Sequence, residues 1–234
     1  MKKIFIPIVI AILCIKSFAV TAQDTTPEID NAKPTNLYTS VMAEGEISES
    51  SVGMRFSIDK ASADGKTMIV GELPVMYDNN SGKVNIENAR LRVFHVVNKQ
   101  YDRVMGTWGA SVDVIAPDTN DDMWMISPGV LLGVMAWEKV QFFPIISYQY
   151  RSNFQGAVQH GISFQVVTPI QINDKFFLRA NPAIQLPDFR HSQTDLSFEL
   201  GSYVTISKNL QWTTTVTTSQ HYGNTIRTGI SIFL

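Results

Sequence analysis

The sequence predicts an all-β protein, a transmembrane antiparallel up-and-down β-barrel of about twelve strands. Three observations carry that expectation. Apolar and polar residues alternate with period 2 almost without interruption over residues 36–234, which is strand rather than helix periodicity. The alternating segments approach or exceed ten residues, the length a membrane-crossing strand needs, whereas sandwich strands are shorter. Their number is even and the joints between them are short, so neighbouring segments can pair in sequence and close on themselves.

Composition sets the frame. The 234 residues are 44% hydrophobic and 17% charged, a charged share below that of ordinary soluble domains. A mean hydropathy of +0.02 is far too low for several greasy helices. The formal charge of -2 argues against a partner held through phosphates, so no nucleic acid is expected. A single cysteine excludes disulfides and zinc knuckles.

Residues 1–22 read as a secretory signal peptide. Lys2 and Lys3 precede an apolar run from Ile4 to Ile15, and Val20-Thr21-Ala22 supplies small residues for cleavage. The run is too short for a transmembrane helix and is broken by Lys16. Cleavage would remove Cys14 and three lysines, leaving a cysteine-free and more acidic chain. Residues 23–35 are polar, with Pro27 and Pro34, and read as a flexible lead into the barrel of 36–234.

The predicted strands are 36–45, 50–59, 66–77, 86–98, 102–116, 123–136, 139–151, 156–168, 174–186, 194–206, 208–219 and 224–234. Turn chemistry separates them at Ala63-Asp64-Gly65, Asn79-Asn80-Ser81-Gly82, Pro117-Asp118-Thr119-Asn120, Asn173-Asp174, Lys208-Asn209 and Tyr222-Gly223-Asn224. Face segregation is clearest late in the chain. Phe176, Leu178, Ala180, Pro182, Ile184 and Leu186 oppose Lys175, Phe177, Arg179, Asn181, Ala183 and Gln185. Leu210, Trp212 and Val216 oppose Gln211, Thr213, Thr215 and Thr217. Trp137, Tyr148, Tyr150, Trp212 and Tyr222 sit near strand ends, where interfacial girdles place aromatics. The last strand alternates to the final residue, as it must if it pairs with the first. Pro74, Pro128, Pro144 and Pro182 oppose a regular barrel, because proline cannot donate to the ladder.

Two stretches resemble a known family. Gly109 to Gly133, GASVDVIAPDTNDDMWMISPGVLLG, has a small-residue strand ending in Ala116-Pro117, a polar turn, and a strand with a Pro128-Gly129 step. Ser163 to Gln185, SFQVVTPIQINDKFFLRANPAIQ, joins two strands through a short polar turn, with Phe176-Phe177 and then Asn181-Pro182. Over roughly 66–234 the pattern resembles the outer-membrane β-barrels of the meta-pathway of phenol degradation, described as transporters. The resemblance implies a cell outer-membrane location and movement of a hydrophobic or aromatic solute.

The site residues follow from where charges fall opposite the apolar faces. Arg55, Glu72, Arg90, Arg92, Arg179 and Glu199 lie near mid-strand on the polar side. A meander makes their strands neighbours, so the contacts expected are Arg55–Glu72, Glu72–Arg92 and Arg179–Glu199. They would line the lumen, as a constriction that selects a solute or as braces in a filled barrel. Leu131, Phe143 and Ile145 give the same face an apolar part, suited to a small organic solute. The partners expected are outer-membrane lipid and that solute, with no cofactor and no metal.

A lipid-hydrolysing barrel is the alternative class. It needs a Ser and a His on one face, hence at even spacing. His191-Ser192 and His160…Ser163 fail that test, and His95 has no nearby Ser on its strand. Ser219 and His221 pass it, with Asp195 or Glu199 as orienting acid. The acidic turn Asp118, Asn120, Asp121, Asp122 has donors of the calcium type, or is simply solvated. No nucleophile-elbow, zinc-protease, phosphate-loop or calcium-hand motif is present.

Overall fold

Alternation becomes a closed wall in the computed structural model, which describes residues 37–98, 107–117, 122–137, 140–153, 155–190, 193–221 and 223–234. The elements are all strands: β1 Ser40–Ser48, β2 Ser51–Ala61, β3 Thr67–Asp78, β4 Lys83–Ile86, β5 Arg90–Asn98, β6 Thr107–Ile115, β7 Trp124–Trp137, β8 Val140–Ser152, β9 Val158–Asn173, β10 Phe176–Leu186, β11 Asp195–Ser207, β12 Leu210–Ser219 and β13 Gly223–Phe233. Apart from β4 and β5, sequence neighbours pair antiparallel, and β13 pairs with β1, from Ser40 opposite Phe233 to Ser48 opposite Thr225. That pairing leaves no free edge. β4 and β5 both pair with β3, so together they form one stave of a twelve-stave barrel.

The wall is sorted by side-chain parity. On β13, Ile226, Ile230 and Ile232 are exposed outside while Gly229 and Ser231 are buried. On β11, Leu196, Phe198, Leu200 and Val204 face out, opposite Asp195, Gly201 and Tyr203. On β12, Trp212 and Val216 face out while Gln211, Thr213 and Thr215 are buried. A polar interior beneath an exposed apolar wall is the inverse of a soluble sandwich and is the arrangement lipid requires. The outer aromatics lie toward both rims. Trp108 and Trp212 stand near the starts of β6 and β12, at the end that carries both chain termini. Trp124, Tyr148 and Tyr150 cluster at the other end, with Trp124 and Tyr150 rings 5.4 Å apart. The side chains of Trp137 and Tyr222 lie outside the described residues.

The four prolines fit because each faces a gap in the ladder. Pro74 lies opposite the break between β4 and β5, where Asn88 takes a left-handed φ of 49°. The β7–β8 ladder skips, with no change of register, from Ile126–Tyr150 to Gly129–Ser147 at Pro128, and from Leu131–Ile145 to Val134–Phe142 at Pro144. The β9–β10 ladder likewise skips from Ala180–Thr168 to Ala183–Gln165 at Pro182. The missing N–H is thus placed where no ladder bond is made.

Three predicted strands need correction, the one expected at 156–168 running as β9 from Val158 on to Asn173. The segment 86–98 is interrupted at Glu87–Ala89 and extended back to Lys83. The first strand begins at Ser40 rather than at residue 36 and runs to Ser48. Leu37 leaves the wall and packs inward. The expected signal peptide 1–22 and lead 23–35 lie outside the described residues.

Candidate functional site: the barrel lumen

The lumen has two tiers. The first is a charged belt. Registered neighbours place Glu46 beside Arg227, Glu44 beside Arg55, Glu72 beside Arg90, and Arg92 beside Asp113. All point inward by the parity that sends their neighbours to the outer wall. Arg55 donates from Nε to Glu46 Oε2 at 2.9 Å and from Nη1 to Glu72 Oε2 at 3.3 Å. Arg90 and Arg92 converge on Asp113. Arg92 Nε reaches Oδ1 at 2.6 Å, and Nη2 of each arginine reaches Oδ2 at 2.9 Å. On the far side Glu199 accepts from Arg179 Nη2 at 3.2 Å, Asn181 Nδ2 at 2.7 Å and Arg227 Nη2 at 2.6 Å. Buried Glu44 accepts from Thr213 Oγ1 at 3.1 Å.

Two of the three expected contacts are therefore present, Arg55–Glu72 and Arg179–Glu199. Glu72–Arg92 is not made. Asp113 stands directly across from Arg92 on β6 and captures it, while Glu72 is taken up by Arg55 from the other side. The sequence reading missed Glu46, Asp113 and Arg227. Glu46 and Asp113 could have been found, since both lie on polar faces of strands adjacent to predicted site residues.

Exposure along the belt is uneven. The Arg92 and Arg179 side chains retain 36% and 37%, whereas Glu46, Glu72, Asp113 and Glu199 retain 11–21% and Arg55, Arg90 and Arg227 retain 17–27%. Arg179 Nε, Asn181 Oδ1 and Gln211 Nε2 are buried and have no hydrogen-bond partner within the protein.

The second tier is apolar and lies nearer the end with the chain termini. Phe94 and Val96 of β5, Leu131 of β7, Phe143 of β8 and Val167 of β9 form one buried cluster, with Ile145 against it. Leu131, Phe143 and Ile145 thus occupy the inner face expected of them. On β10 and β11, Phe177 and Tyr203 stack at 4.5 Å with planes 5° apart, and the Arg179 guanidinium lies 4.8 Å from the Tyr203 ring centre. Tyr203 lies flat because Gly201 leaves room, since a Cβ there would come within 2.7 Å of the ring.

Among the described residues the serines and histidines weighed for a hydrolase are placed as follows. His160 faces out, its Nδ1 bonded to the Tyr148 hydroxyl, while Ser163 lies at odd spacing on β9. His95 bonds Thr67 Oγ1 through Nδ1 at 2.9 Å. Ser219 Oγ donates to Asp195 Oδ1 at 2.9 Å, and His221 offers both groups its backbone N–H. His191, Ser192, Asp118, Asn120 and Asp121 lie outside the described residues, and Asp122 accepts from Asn153 Nδ2 at 3.2 Å. Among the described residues no cluster of metal-ligating side chains occurs.

No family model matches the chain. No curated protein matches it. Solved structures do share its fold. It is similar to a NanC porin, with a TM-score of 0.63, 12% identity, and coverage of 84% of this chain and 100% of that one. A KdgM porin in complex with disordered oligogalacturonate gives 0.62 at 10% identity, covering 82% and 98%. A second KdgM porin structure gives 0.59 at 10% identity over the same shares. The shared property is the closed twelve-stave barrel.

Proposed function

We propose that the protein is a passive channel of the bacterial outer membrane, and that its solute is a small organic anion with an apolar or aromatic body. The observation that carries this reading is that Arg92 and Arg179 are the most exposed side chains among the belt's ion pairs, each more exposed than the carboxylate it holds. A carboxylate or phenolate entering the lumen meets the positive charge of Arg92 and Arg179. The adjoining Phe94, Leu131, Phe143 and Val167 wall accepts the remainder of such a molecule. Selection is electrostatic and steric, and transit follows the solute gradient without a cofactor. The porin likeness supports a channel, and the resemblance to the phenol-pathway barrels supports an aromatic solute. The apolar outer wall with aromatics toward both rims supports the membrane location, with both chain ends on the periplasmic side.

Liposomes test this reading. Purified protein should accelerate release of an entrapped aromatic carboxylate over a neutral sugar of equal size, with the lipid intact. Equal permeation of both solutes would contradict the selectivity. Fatty-acid release lost on Ser219→Ala would instead favour the hydrolase.

A further inference from the structure

The five arginines of the belt share four carboxylates in ion pairs, those of Glu46, Glu72, Asp113 and Glu199. Glu44 is an inward-facing acid that is not among the four. Arg55 stands in register with it on β2 but donates to Glu46 and Glu72 instead. Glu44 turns the other way. Glu44, Gly229 and Thr213 occupy one register row on β1, β13 and β12. The Glu44 side chain crosses the glycine and accepts from Thr213 Oγ1 at 3.1 Å. The crossing needs glycine, because a Cβ on Gly229 would come within 2.7 Å of Glu44 Cγ. Glu44 ends only 4% exposed, so its carboxylate lies along the wall instead of standing in the lumen. Asp59 on β2 repeats the device, its carboxylate accepting from Ser40 Oγ of β1 at 2.8 Å.

We propose that Glu44 is a withheld acid, and that Thr213 is the positioning residue that keeps its carboxylate off the solute path and so sets the lumen's preference for anions. The inference rests on reading the lumen as a solute path. The ion pairs leave the belt with one guanidinium in excess of its carboxylates. A further carboxylate standing free in the lumen would cancel that excess, and its field would draw cations and repel anions along the passage. Laid across Gly229, the same carboxylate is farther from passing ions and its charge is met by the Thr213 hydroxyl.

Planar bilayers under a potassium chloride gradient test the assignment, with folding of each variant checked by its mobility on an unheated gel. Thr213→Val removes the hydroxyl and keeps the shape. The chloride-over-potassium permeability ratio should then fall about threefold, the screened effect of one charge on ions about 6 Å away. Thr213→Ser retains a hydroxyl and should keep the parent's ratio. In a Glu44→Gln background, Thr213→Val should leave the ratio unmoved, which a general loosening of the wall would not do. Should Thr213→Val fail to fold, Thr213→Ala removes the same hydroxyl with less bulk. An equal ratio in the parent and the hydroxyl-free variant would overturn the inference, as would a fall that persists in the Glu44→Gln background. Absence of current in every channel would contradict the solute path itself and the inference with it, whereas current with an unmoved ratio contradicts the withheld acid alone.

Discussion

Arg227 on β13 reaches over the intervening strand β12 to bond Glu199 on β11, Nη2 to Oε2 at 2.6 Å. The reach is possible because β12 presents only threonines there. Glu199 pairs in register with Thr217 and Arg227 with Thr215, and Thr215 is buried beneath the pair. Glu199 also holds Arg179 and Asn181, so one carboxylate ties β10, β11 and β13 together. Glu199→Gln would leave two guanidiniums without their shared counter-ion. It should cost about 3 kcal/mol, read as an earlier midpoint in urea unfolding from detergent micelles. Arg227→Lys should cost less, since one cation remains.

Leu200 sits beside Glu199 with the opposite parity, exposed on the outer wall between Ala180 and Val216. If that wall meets lipid near mid-membrane, Leu200→Arg should cost about 2–4 kcal/mol in bilayer refolding. A soluble fold would tolerate that arginine at a 44% exposed position, so an unchanged stability would reverse the face assignment.

Tyr203 is the cover for Gly201 and the stacking partner of Phe177. Tyr203→Ala should cost about 3–5 kcal/mol, the range for removing a large buried aromatic. Tyr203→Phe keeps the stack and should unfold close to the parent. A similar loss in both variants would show that the hydroxyl, not the ring, stabilises the wall.

Asp64 caps the β2–β3 turn. The Ser62 hydroxyl and the Lys66 N–H at 3.0 Å both donate to its carboxylate, and these bonds hold its pKa below the ordinary aspartate value. A lowered folded-state pKa means that its contribution is complete above the unfolded value and lost as pH falls through the folded one. Asp64→Asn should therefore lower stability in the neutral region, where that contribution is present, and its profile should meet the parent's as pH falls through the folded-state value. Parallel profiles across the acid range would remove Asp64 as the cause.

Much of this architecture was legible because parity on a strand is a local property. Each alternating segment announces which residues go out, and closure follows from an even count and short joints. Arg179 and Glu199 were also legible, since adjacent strands bring mid-strand charges together. Arg227–Glu199 was not, because it skips a strand and depends on the short side chains of β12. Glu72–Arg92 was misjudged for a related reason: which of two flanking acids an arginine chooses depends on register, and register here is disturbed at Glu87–Ala89. Leu37 and Tyr38 extend the alternation of β1 backward, so nothing in the sequence signals that the chain leaves the wall. The prolines looked hostile because the gaps that accommodate them belong to neighbouring strands.

The central claim is that Arg92 and Arg179 set what passes through the lumen. The reversal potential across a planar bilayer under a potassium chloride gradient tests it most directly, measured for the parent channel and for the same channel carrying Arg92→Gln and Arg179→Gln. The account predicts chloride preference in the first and its loss or reversal in the second, where Asp113 and Glu199 are each left with one arginine, Arg90 and Arg227, in place of two. An identical reversal potential in the two channels would contradict it and leave the belt as bracing alone.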